Sequence, residues 1–250
     1  MPYRKQQFEK GDFYHVILRG IDDNLIFKNT DDYYRGIFSI YEFNNAKPVE
    51  IFKRRREIKA LKNKLKFGGH RESPNSSSEI SDKRDRFVDV LAFCFMPNHI
   101  HLLLSQIKKE GITKYMSKLG IGYAKYFNQK YKRKGYLFQN SFLAVEIKNN
   151  EQLETVFNYI HTNPVSLFDK NWKELGTTNT RGAINFLENY KWSSYQDYIG
   201  KKNFPSVTER DFLLKIFRGT FGCKKSVKEW IKFKNKESGN LFTDLFLEER

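Results

Sequence analysis

The chain has 250 residues, enough for one sizeable domain or for one domain with a small appendage. Two cysteines and no run close to the roughly 18 apolar residues of a membrane span argue against a disulfide framework and a membrane-spanning segment. Its 45 lysine and arginine residues outnumber its 29 aspartate and glutamate residues, which gives a formal net charge of +16.

The basic charge comes with aromatic side chains at 16% of the sequence. Cations bind phosphates and aromatic rings stack on bases, so this pairing favours single-stranded nucleic acid as the partner. The alternative is a basic surface that is merely solvated. Residues 1–15 lack the apolar core of a secretory signal peptide. We therefore expect a cytoplasmic protein associated with the nucleoid.

The first elements are a strand and a helix. Residues 13–19 are β-branched and aromatic and end at Gly20, which predicts a strand. Thr30 is a helix-capping residue type, and the apolar spacing after it predicts a helix over about 31–43. Residues 52–86 then run from a basic stretch into Gly, Ser, Pro and Asn. They predict a flexible insertion whose cations either bind phosphates or form a solvated face.

Two short apolar runs follow, over about 87–95 and 99–105, and the turn between them contains Pro97. They predict a β-hairpin. A broad apolar stripe predicts a helix over 111–131, and the extended stretch 136–147 predicts another strand. The order strand, helix, strand, strand, helix, strand predicts an α+β fold, a ferredoxin-like or RRM-like antiparallel sheet with helices on one face.

Two histidines, His99 and His101, lie in the second strand of this hairpin. Side chains at i and i+2 of a strand point to the same face, so the two imidazoles lie side by side while Ile100 packs on the other face. Two neutral imidazoles form half of a site for a divalent cation. The alternative is a pair of polar side chains on the open face of a strand. A metal site needs further ligands.

A helix predicted over about 151–162 ends at Asn163 and Pro164. Tyr159 and Asn163 lie four residues apart and therefore on one helical face. Pro164 disfavours the α conformation at Asn163, so we expect Asn163 in or just past the last turn.

The rest of the chain carries less pattern. Residues 166–184 have a loop-like composition, and short helices are predicted at 212–221 and 226–233. We place the main domain, which includes the 52–86 insertion, at 1–200, and a small helical C-terminal extension with a tail at 201–250.

The ordered motifs resemble those of the REP-associated tyrosine transposases, relatives of the single-tyrosine HUH transposases of small bacterial insertion sequences. An isolated HxH motif is weak evidence, whereas the ordered set is specific and covers about 1–200 apart from the insertion. The similar stretches are YHVILRG at 14–20, the histidine strand with the preceding MPN, YAKYFN at 123–128, GYLFQ at 135–139, YIHTNPV at 159–165 and WSSY at 192–195.

The resemblance implies an HUH endonuclease that cuts and rejoins single-stranded, hairpin-forming DNA, such as REP-like elements or insertion-sequence ends, without ATP. His99 and His101 match the metal-binding histidines, and Tyr159 matches the nucleophile. Asn163 takes the position of the polar residue that completes the metal shell. In this family the tyrosine attacks a phosphodiester and leaves a 5′-phosphotyrosine and a free 3′-hydroxyl. Mg²⁺ and Mn²⁺ are both candidates, because magnesium prefers oxygen ligands and manganese tolerates imidazole better.

The sequence departs from the family pattern at two positions. Phe138 and Ser141 stand where relatives commonly have Trp and Arg, a change that concerns DNA contacts and not the catalytic set. We expect phosphate contacts from basic residues spread along the domain, namely Arg19, Lys114, Lys118, Lys125, Arg133 and Lys134.

Other tyrosines and histidines have alternative roles. Tyr123 or Tyr126, on the earlier helix, is the rival nucleophile, but only Tyr159 has a candidate ligand one turn along its own helix. His15 on the first strand is a candidate for supporting the metal ligands. His161 points away from Tyr159 around the helix, so we expect it to be structural or to contact neighbouring loops.

Two other functions remain open on the sequence. The same sheet would also serve a binding module that holds folded single-stranded DNA or RNA without cutting it. A metal phosphodiesterase would use water in place of tyrosine as the nucleophile. The short connection from 145 to 151 lets the tyrosine helix dock on its own sheet, which favours a monomer with its site in one chain over a homodimer.

Overall fold

A computed structural model describes residues 7–48, 56, 84–139 and 142–234. Most of the predicted insertion, Ser141 and the tail from 235 onward lie outside these residues. The strands are β1 (Phe13–Arg19), β2 (Val88–Met96), β3 (His99–Gln106) and β4 (Leu143–Ile147). The longer helices are α1 (Thr30–Glu42), α2 (Gly111–Lys130), α3 (Asn150–Thr162), α6 (Thr180–Asn189) and α9 (Thr220–Lys234). The short ones are a 3-10 turn (Ile21–Asp23), α4 (Val165–Phe168), α5 (Trp172–Leu175), α7 (Tyr195–Tyr198) and α8 (Asp211–Ile216).

The four strands form one antiparallel sheet in the order β2-β3-β1-β4. β1 and β3 pair in its centre, with Ile17 opposite His101 and Arg19 opposite His99. The sequence of elements and the antiparallel pairing are those of a split βαβ arrangement. The predicted α+β class with an antiparallel sheet is confirmed.

The sheet separates two cores. On one face, Tyr14, Val16 and Leu18 of β1 are buried with side chains of α1 and α2. On the opposite face, Leu103 and Ile147 are buried with side chains of α3 and of later helices. Helices therefore cover both faces, which corrects the expectation of helices on one face alone. The predicted pair of helices accounts for the first face, and the amphipathic α3 buries its apolar side on the second.

Residues 166–184 are not the loop that their composition predicts. They contain most of α4, all of α5 and the start of α6. Asn179 caps α6 by accepting a hydrogen bond from the Gly182 N–H at 2.8 Å, and Ala183 and Leu187 are buried four residues apart. Helices of four residues complete about one turn, so they leave no periodic pattern in the sequence.

The predicted helical extension corresponds to α8 and α9. α9 buries Val227 and Ile231 in the second core, and Asn158 of α3 donates a hydrogen bond to Ser226 Oγ at 2.9 Å. The domain boundary at 200 stays a prediction. Within the described ranges, no helix has the length and apolar character needed to cross a membrane.

Two irregular segments complete the sheet. The predicted strand 136–147 is shorter than expected. Among its described residues, β4 forms the ladder with β1, and Phe138 bridges Gly20 just beyond β1. On the opposite side, residues 192–194 run along the outer edge of β2, where Phe95 N–H donates to the Trp192 carbonyl at 2.8 Å. The WSSY stretch therefore covers the outer edge of β2 at Phe93 and Phe95.

Candidate active site

β3 directs two histidine side chains to the face of the sheet that α3 covers. Ile100 and Leu102, between and after them, are buried on the opposite face, as the two-residue spacing predicts. The imidazoles of His99 and His101 are 6% and 0% exposed, and their Nε2 atoms lie 3.0 Å apart. Two ring nitrogens thus converge on one point beneath α3.

The second nitrogen of each imidazole has a polar partner. Nδ1 of His99 lies 2.7 Å from Oδ1 of Asn98, an amide oxygen that accepts hydrogen bonds. This contact favours the tautomer with the proton on Nδ1, which leaves the lone pair of Nε2 for a metal ion. Nδ1 of His101 lies 3.0 Å from Nε2 of His15 on β1. Metal-binding histidines are oriented by such partners. His15 is therefore placed where a supporting residue is expected.

The environment keeps both imidazoles neutral. Burial, together with the positive charges of Lys173 and Arg19, lowers the pKa of His99 to about 3. Burial, followed by the neighbouring His99 and His15, holds the pKa of His101 well below its usual value. A neutral imidazole is the form that ligates a metal ion, so the site needs no deprotonation step at neutral pH.

α3 places Tyr159 and Asn163 against the two histidines. Asn149 caps the helix by accepting a hydrogen bond from the Gln152 N–H at 2.8 Å, and the apolar side of the helix packs on the sheet. The ring of Tyr159 stands edge-on to the ring of His101, with centroids 5.6 Å apart and an angle of 89°. Tyr159 is 8% exposed. The structure brings the predicted nucleophile to the predicted metal ligands.

The Asn163 side chain reaches the same point. Its Nδ2 lies 3.0 Å from Nε2 of His101. Its backbone is helical, with φ −51° and ψ −41°, and its N–H donates to the Tyr159 carbonyl at 3.0 Å. Pro164 therefore does not exclude the α conformation here, and α4 follows at once. Rotating the amide by 180° exchanges Nδ2 and Oδ1, so the same side chain can offer a metal-binding oxygen.

The donor set fits a divalent cation. Two neighbouring ligands about 2.1 Å from an octahedral ion lie about 3.0 Å apart, which matches the separation of the two Nε2 atoms. In the described part of the chain, no group of three or more His, Cys, Asp and Glu side chains is arranged to hold a metal. The third protein group at this centre is instead the amide of Asn163.

The rival tyrosines lie on the opposite face of the sheet, in the core shared by α1 and α2. Tyr123 is buried, and its hydroxyl donates to the Ile26 carbonyl at 2.6 Å. The hydroxyl of Tyr126 donates to Oδ1 of Asp32 at 3.0 Å. The structure does not bring either tyrosine to the histidines.

His161 has a structural environment on the far side of α3. It is fully buried, its Nε2 lies 2.8 Å from Ser194 Oγ, and its ring packs against Phe157 at 4.3 Å between centroids. Burial lowers its pKa to about 3. The expected contact with neighbouring segments is thus present, through the WSSY stretch.

The six predicted phosphate-binding cations divide into separate groups. Arg19 lies at the end of β1 opposite His99, where Nη1 is 3.6 Å from Asp23 Oδ1. Arg133 and Lys134 follow α2, and Arg133 donates to the Tyr136 carbonyl at 3.2 Å. The remaining three, Lys114, Lys118 and Lys125, lie on α2, which covers the face opposite the histidines.

The α2 lysines also differ among themselves. Lys114 pairs with Glu110 at 3.0 Å, and Lys118 donates to the Asn45 carbonyl at 2.6 Å. Lys125 is exposed. Of the six candidates, Arg19 is therefore the one that the structure brings to the histidines, and Lys118 holds the segment after α1.

Sequence reasoning missed two residues of this site. Lys173, in α5, has its Nζ 6.0 Å from the centre of the Tyr159 ring. The sequence did not indicate that Lys173 belongs to the site, because residues 166–184 lack the periodicity that predicts helices. Asn98 contacts Nδ1 of His99. Its position directly before His99 was the one feature of the sequence that could have predicted this contact.

Residues 70–163 match the family model described as "Transposase IS200 like", a range that contains both histidines, Tyr159 and Asn163. The resemblance to transposases of small insertion sequences is confirmed over this stretch. No curated protein matches the chain.

Among solved structures, the chain is similar to one described as "Structure of the REP associates tyrosine transposase bound to a REP hairpin". The two chains are 14% identical, and the match covers 84% of this chain and 93% of the other, with a TM-score of 0.42.

Proposed function

We propose that this protein is a metal-dependent endonuclease and strand transferase for single-stranded, hairpin-forming DNA, with Tyr159 as its nucleophile. The observation that carries the proposal is the convergence of His99, His101, Asn163 and Tyr159 at one buried point between β3 and α3. The match of residues 70–163 to IS200-like transposases supports the same reaction class.

Tyr159 would form and break the covalent bond. Its phenol oxygen attacks the phosphorus of a phosphodiester, the bond from phosphorus to the 3′-oxygen breaks, and the phenol proton ends on the departing 3′-hydroxyl. The product is a 5′-phosphotyrosine, so the energy of the phosphodiester is kept. A 3′-hydroxyl of another strand reverses the reaction and releases Tyr159, and no ATP is required.

His99, His101 and Asn163 would hold Mg²⁺ or Mn²⁺. When bound, the ion polarises a non-bridging phosphate oxygen and offsets the charge that repels an incoming nucleophile. The residues of the chain fix the geometry: Asn98 and His15 orient the imidazoles, and the last turn of α3 sets the amide of Asn163 against His101. Imidazole ligands favour manganese over magnesium.

Two cations would bind the scissile phosphate. Lys173 lies beside the Tyr159 ring and Arg19 lies opposite His99. The neutral imidazoles add no charge to the site, so Lys173 and Arg19 would supply its positive charge. A phosphate at this point gains charge-assisted hydrogen bonds.

We expect the site to be completed within one chain, since the segment between β4 and α3 is only two residues long and lets the helix dock on its own sheet. The short connection favours a monomer. The proposed substrates are DNA hairpins of REP-like elements or insertion-sequence ends, and the proposed location is the nucleoid.

The test uses a single-stranded hairpin with flanking sequence from the protein's own locus, labelled at either end and incubated with Mn²⁺ or with EDTA. Denaturing electrophoresis should show a metal-dependent shift of the 3′-labelled fragment to protein mass. Tyr159→Phe should abolish the adduct and keep hairpin binding. The rival tyrosine serves as a matched control, so Tyr126→Phe should keep the adduct.

Each alternative gives a distinct result. An adduct that persists in Tyr159→Phe rejects the assignment of the nucleophile. Metal-dependent cleavage without any adduct identifies a phosphodiesterase that uses water. Tight hairpin binding without cleavage, on several substrates from the locus, identifies a binding module.

A further inference from the structure

An open cleft of about 570 Å³ lies beside the outer edge of β2, outside the candidate active site. It is bounded by α1 on one side and by the segments before and after α7 on the other. Its lining combines aromatic, cationic and amide side chains, namely Tyr34, Lys191, Gln196, Lys202, Asn203 and Phe204. Of the lining residues in the described part of the chain, none is acidic.

A stack of parallel rings runs from the core to this cleft. Phe95, Phe27, Tyr33, Trp192 and Phe204 follow one another with centroids 4.9, 4.4, 4.6 and 6.3 Å apart and interplanar angles of 11° to 20°. Phe95 is fully buried, whereas Phe204 is half-buried and lines the cleft. The outer end of the stack therefore presents an aromatic surface that can be continued by another flat ring.

The side wall of the cleft is aromatic and cationic. The ring of Tyr34 is 43% exposed and meets Trp192 edge-on, with centroids 5.1 Å apart. Nζ of Lys191 lies 4.8 Å from the centre of the Tyr34 ring and donates to its hydroxyl. Lys202 is exposed nearby. An aromatic surface with adjacent lysines suits a base together with its phosphate.

The rim that carries Phe204 is fixed by hydrogen bonds. The carboxylate of Asp197 accepts hydrogen bonds from the N–H groups of Asn203 and Phe204 at 2.9 and 3.0 Å. The side-chain amide of Asn203 donates to the Lys191 carbonyl at 2.6 Å. The cleft is therefore held in shape before any ligand binds, which reduces the entropy cost of binding.

The cleft lies at the same end of the sheet as the histidines. Trp192 bonds to Phe95 on the outer edge of β2, and Met96, the next residue, pairs with His99 on β3. Two strand spacings, roughly 10 Å, therefore separate the backbone of Trp192 from that of His99. The histidines and the cleft lie on opposite faces of the sheet, because Tyr34 belongs to α1 and Phe204 packs on the core shared by α1 and α2. A strand of DNA bound at the histidines would therefore pass around the edge of the sheet beyond β2 and reach the cleft after a few nucleotides.

We propose that this cleft is a stacking site for one unpaired base of the DNA strand, a few nucleotides from the phosphodiester that Tyr159 attacks. The proposal rests on the proposed function, since it takes single-stranded DNA as the ligand. The ring stack supplies the surface for the base, and Lys191 and Lys202 bind its phosphate. The lining amides, Gln196 among them, are hydrogen-bonding groups that can select among bases.

The test measures binding of a DNA hairpin with single-stranded flanks, in which one abasic site is moved through each flanking position. All proteins carry Tyr159→Phe, so that cleavage does not interfere. One position should lose affinity about 10-fold when its base is absent, as expected for loss of one stacked base. Tyr34→Ala and Phe204→Leu should bind the intact DNA about as weakly as the protein with an unchanged cleft binds the abasic DNA. In these two variants, the abasic site should cause no further loss of affinity.

Matched controls lie on α9, away from the cleft. Phe221 is 79% exposed, so Phe221→Ala should keep the full abasic effect. Lys191→Gln should weaken DNA binding several-fold at low salt and less at high salt. Lys228→Gln removes the same charge away from the cleft and serves as its control. Melting temperatures and circular dichroism establish that the variants are folded.

The outcomes separate the inference from the proposed function, because adduct formation is measured in parallel with Tyr159 intact. An adduct that forms without any abasic-sensitive position, or an abasic effect that survives in Tyr34→Ala, overturns the stacking site alone. An abasic effect that Tyr34→Ala removes, without an adduct on any substrate, supports the stacking site and rejects the proposed catalysis. Absence of DNA binding overturns both.

Discussion

Nε2 of His15 lies 3.0 Å from Nδ1 of His101, across the pair formed by β1 and β3. The two rings stack with an angle of 18°, and both side chains are fully buried. His15 contacts Nδ1 of His101, whereas the two converging atoms are the Nε2 atoms of His99 and His101. We therefore expect its effect on a bound metal to pass through the orientation of His101. This relationship predicts a positioning role for His15.

Replacing His15 with alanine should therefore weaken metal binding while leaving both ligating imidazoles in place. Loss of a group that orients a ligand typically costs 10-fold to 100-fold in metal affinity. Binding of Mn²⁺, followed by electron paramagnetic resonance without DNA, measures this directly. His15→Gln, which keeps a polar group near His101, should recover part of the affinity. An unchanged affinity in His15→Ala would show that His101 is held by other contacts.

Two variants of Asn163 should show whether its side-chain oxygen binds the metal or whether the amide only packs against His101. Asn163→Leu removes the side-chain oxygen at similar size, so the Mn²⁺ concentration needed for half-maximal adduct formation should rise at least 10-fold. Asn163→Asp supplies a carboxylate oxygen and should keep metal binding. If Asn163→Leu and Asn163→Asp behave alike, the amide does not ligate the metal and only packs against His101.

Lys173 should contribute to the cleavage step itself. Its Nζ lies 6.0 Å from the centre of the Tyr159 ring, and a cation there stabilises the charge of an attacked phosphate. Lys173→Met should slow single-turnover adduct formation about 10-fold or more, the range for a hydrogen bond to a charged group. Lys173→Arg should keep most of the rate.

A nearby lysine provides the control for that variant. Lys170 is exposed and precedes Lys173 by three residues, so Lys170→Met removes the same charge without touching Tyr159. Equal losses in the two variants would show a general electrostatic effect on DNA binding. Their salt dependence would then also be equal.

Asp32 should stabilise the fold in its ionised form. Burial alone would raise the pKa of its carboxyl, but hydrogen bonds from Lys130, Tyr131 and the Lys28 N–H outweigh it and hold the pKa below its usual value. A depressed carboxyl pKa contributes stability above the unfolded-state value of about 3.9, and this contribution is lost as the pH falls through the folded-state value.

Asp32→Asn should therefore lower the free energy of unfolding by about 3 kcal/mol near neutral pH, as expected when a buried ion pair loses one partner. The difference between wild type and variant should shrink below about pH 4. Urea denaturation at a series of pH values measures it. A difference that stays constant down to pH 3 would show that the charge of Asp32 is not the cause.

The sequence predicted the parts of the site that depend on local periodicity. His99 and His101 share a face because strand side chains alternate, and Tyr159 and Asn163 share a face because a helix repeats every 3.6 residues. The order of strands and helices along the chain was sufficient to predict the antiparallel sheet and the α+β class.

What the sequence did not predict depends on contacts between distant segments. The α2 lysines have a suitable charge, but only the packing shows that α2 covers the face opposite the histidines. Lys173 comes close to Tyr159 because short, non-periodic helices fold back over the sheet. Asn163 adopts an α conformation before Pro164, against the local preference, as the chain continues into α4.

The closure of β2 by residues 192–194 has a consequence for folding and expression. The Phe93 N–H donates to the Ser194 hydroxyl, a partner 101 positions later in the chain. During synthesis, the outer edge of β2 therefore lacks these backbone hydrogen bonds until residues 192–194 have been made. Exposed strand edges of this kind recruit other chains. A fragment that ends before 192 should accordingly self-associate, even though it contains every residue assigned to metal and nucleophile.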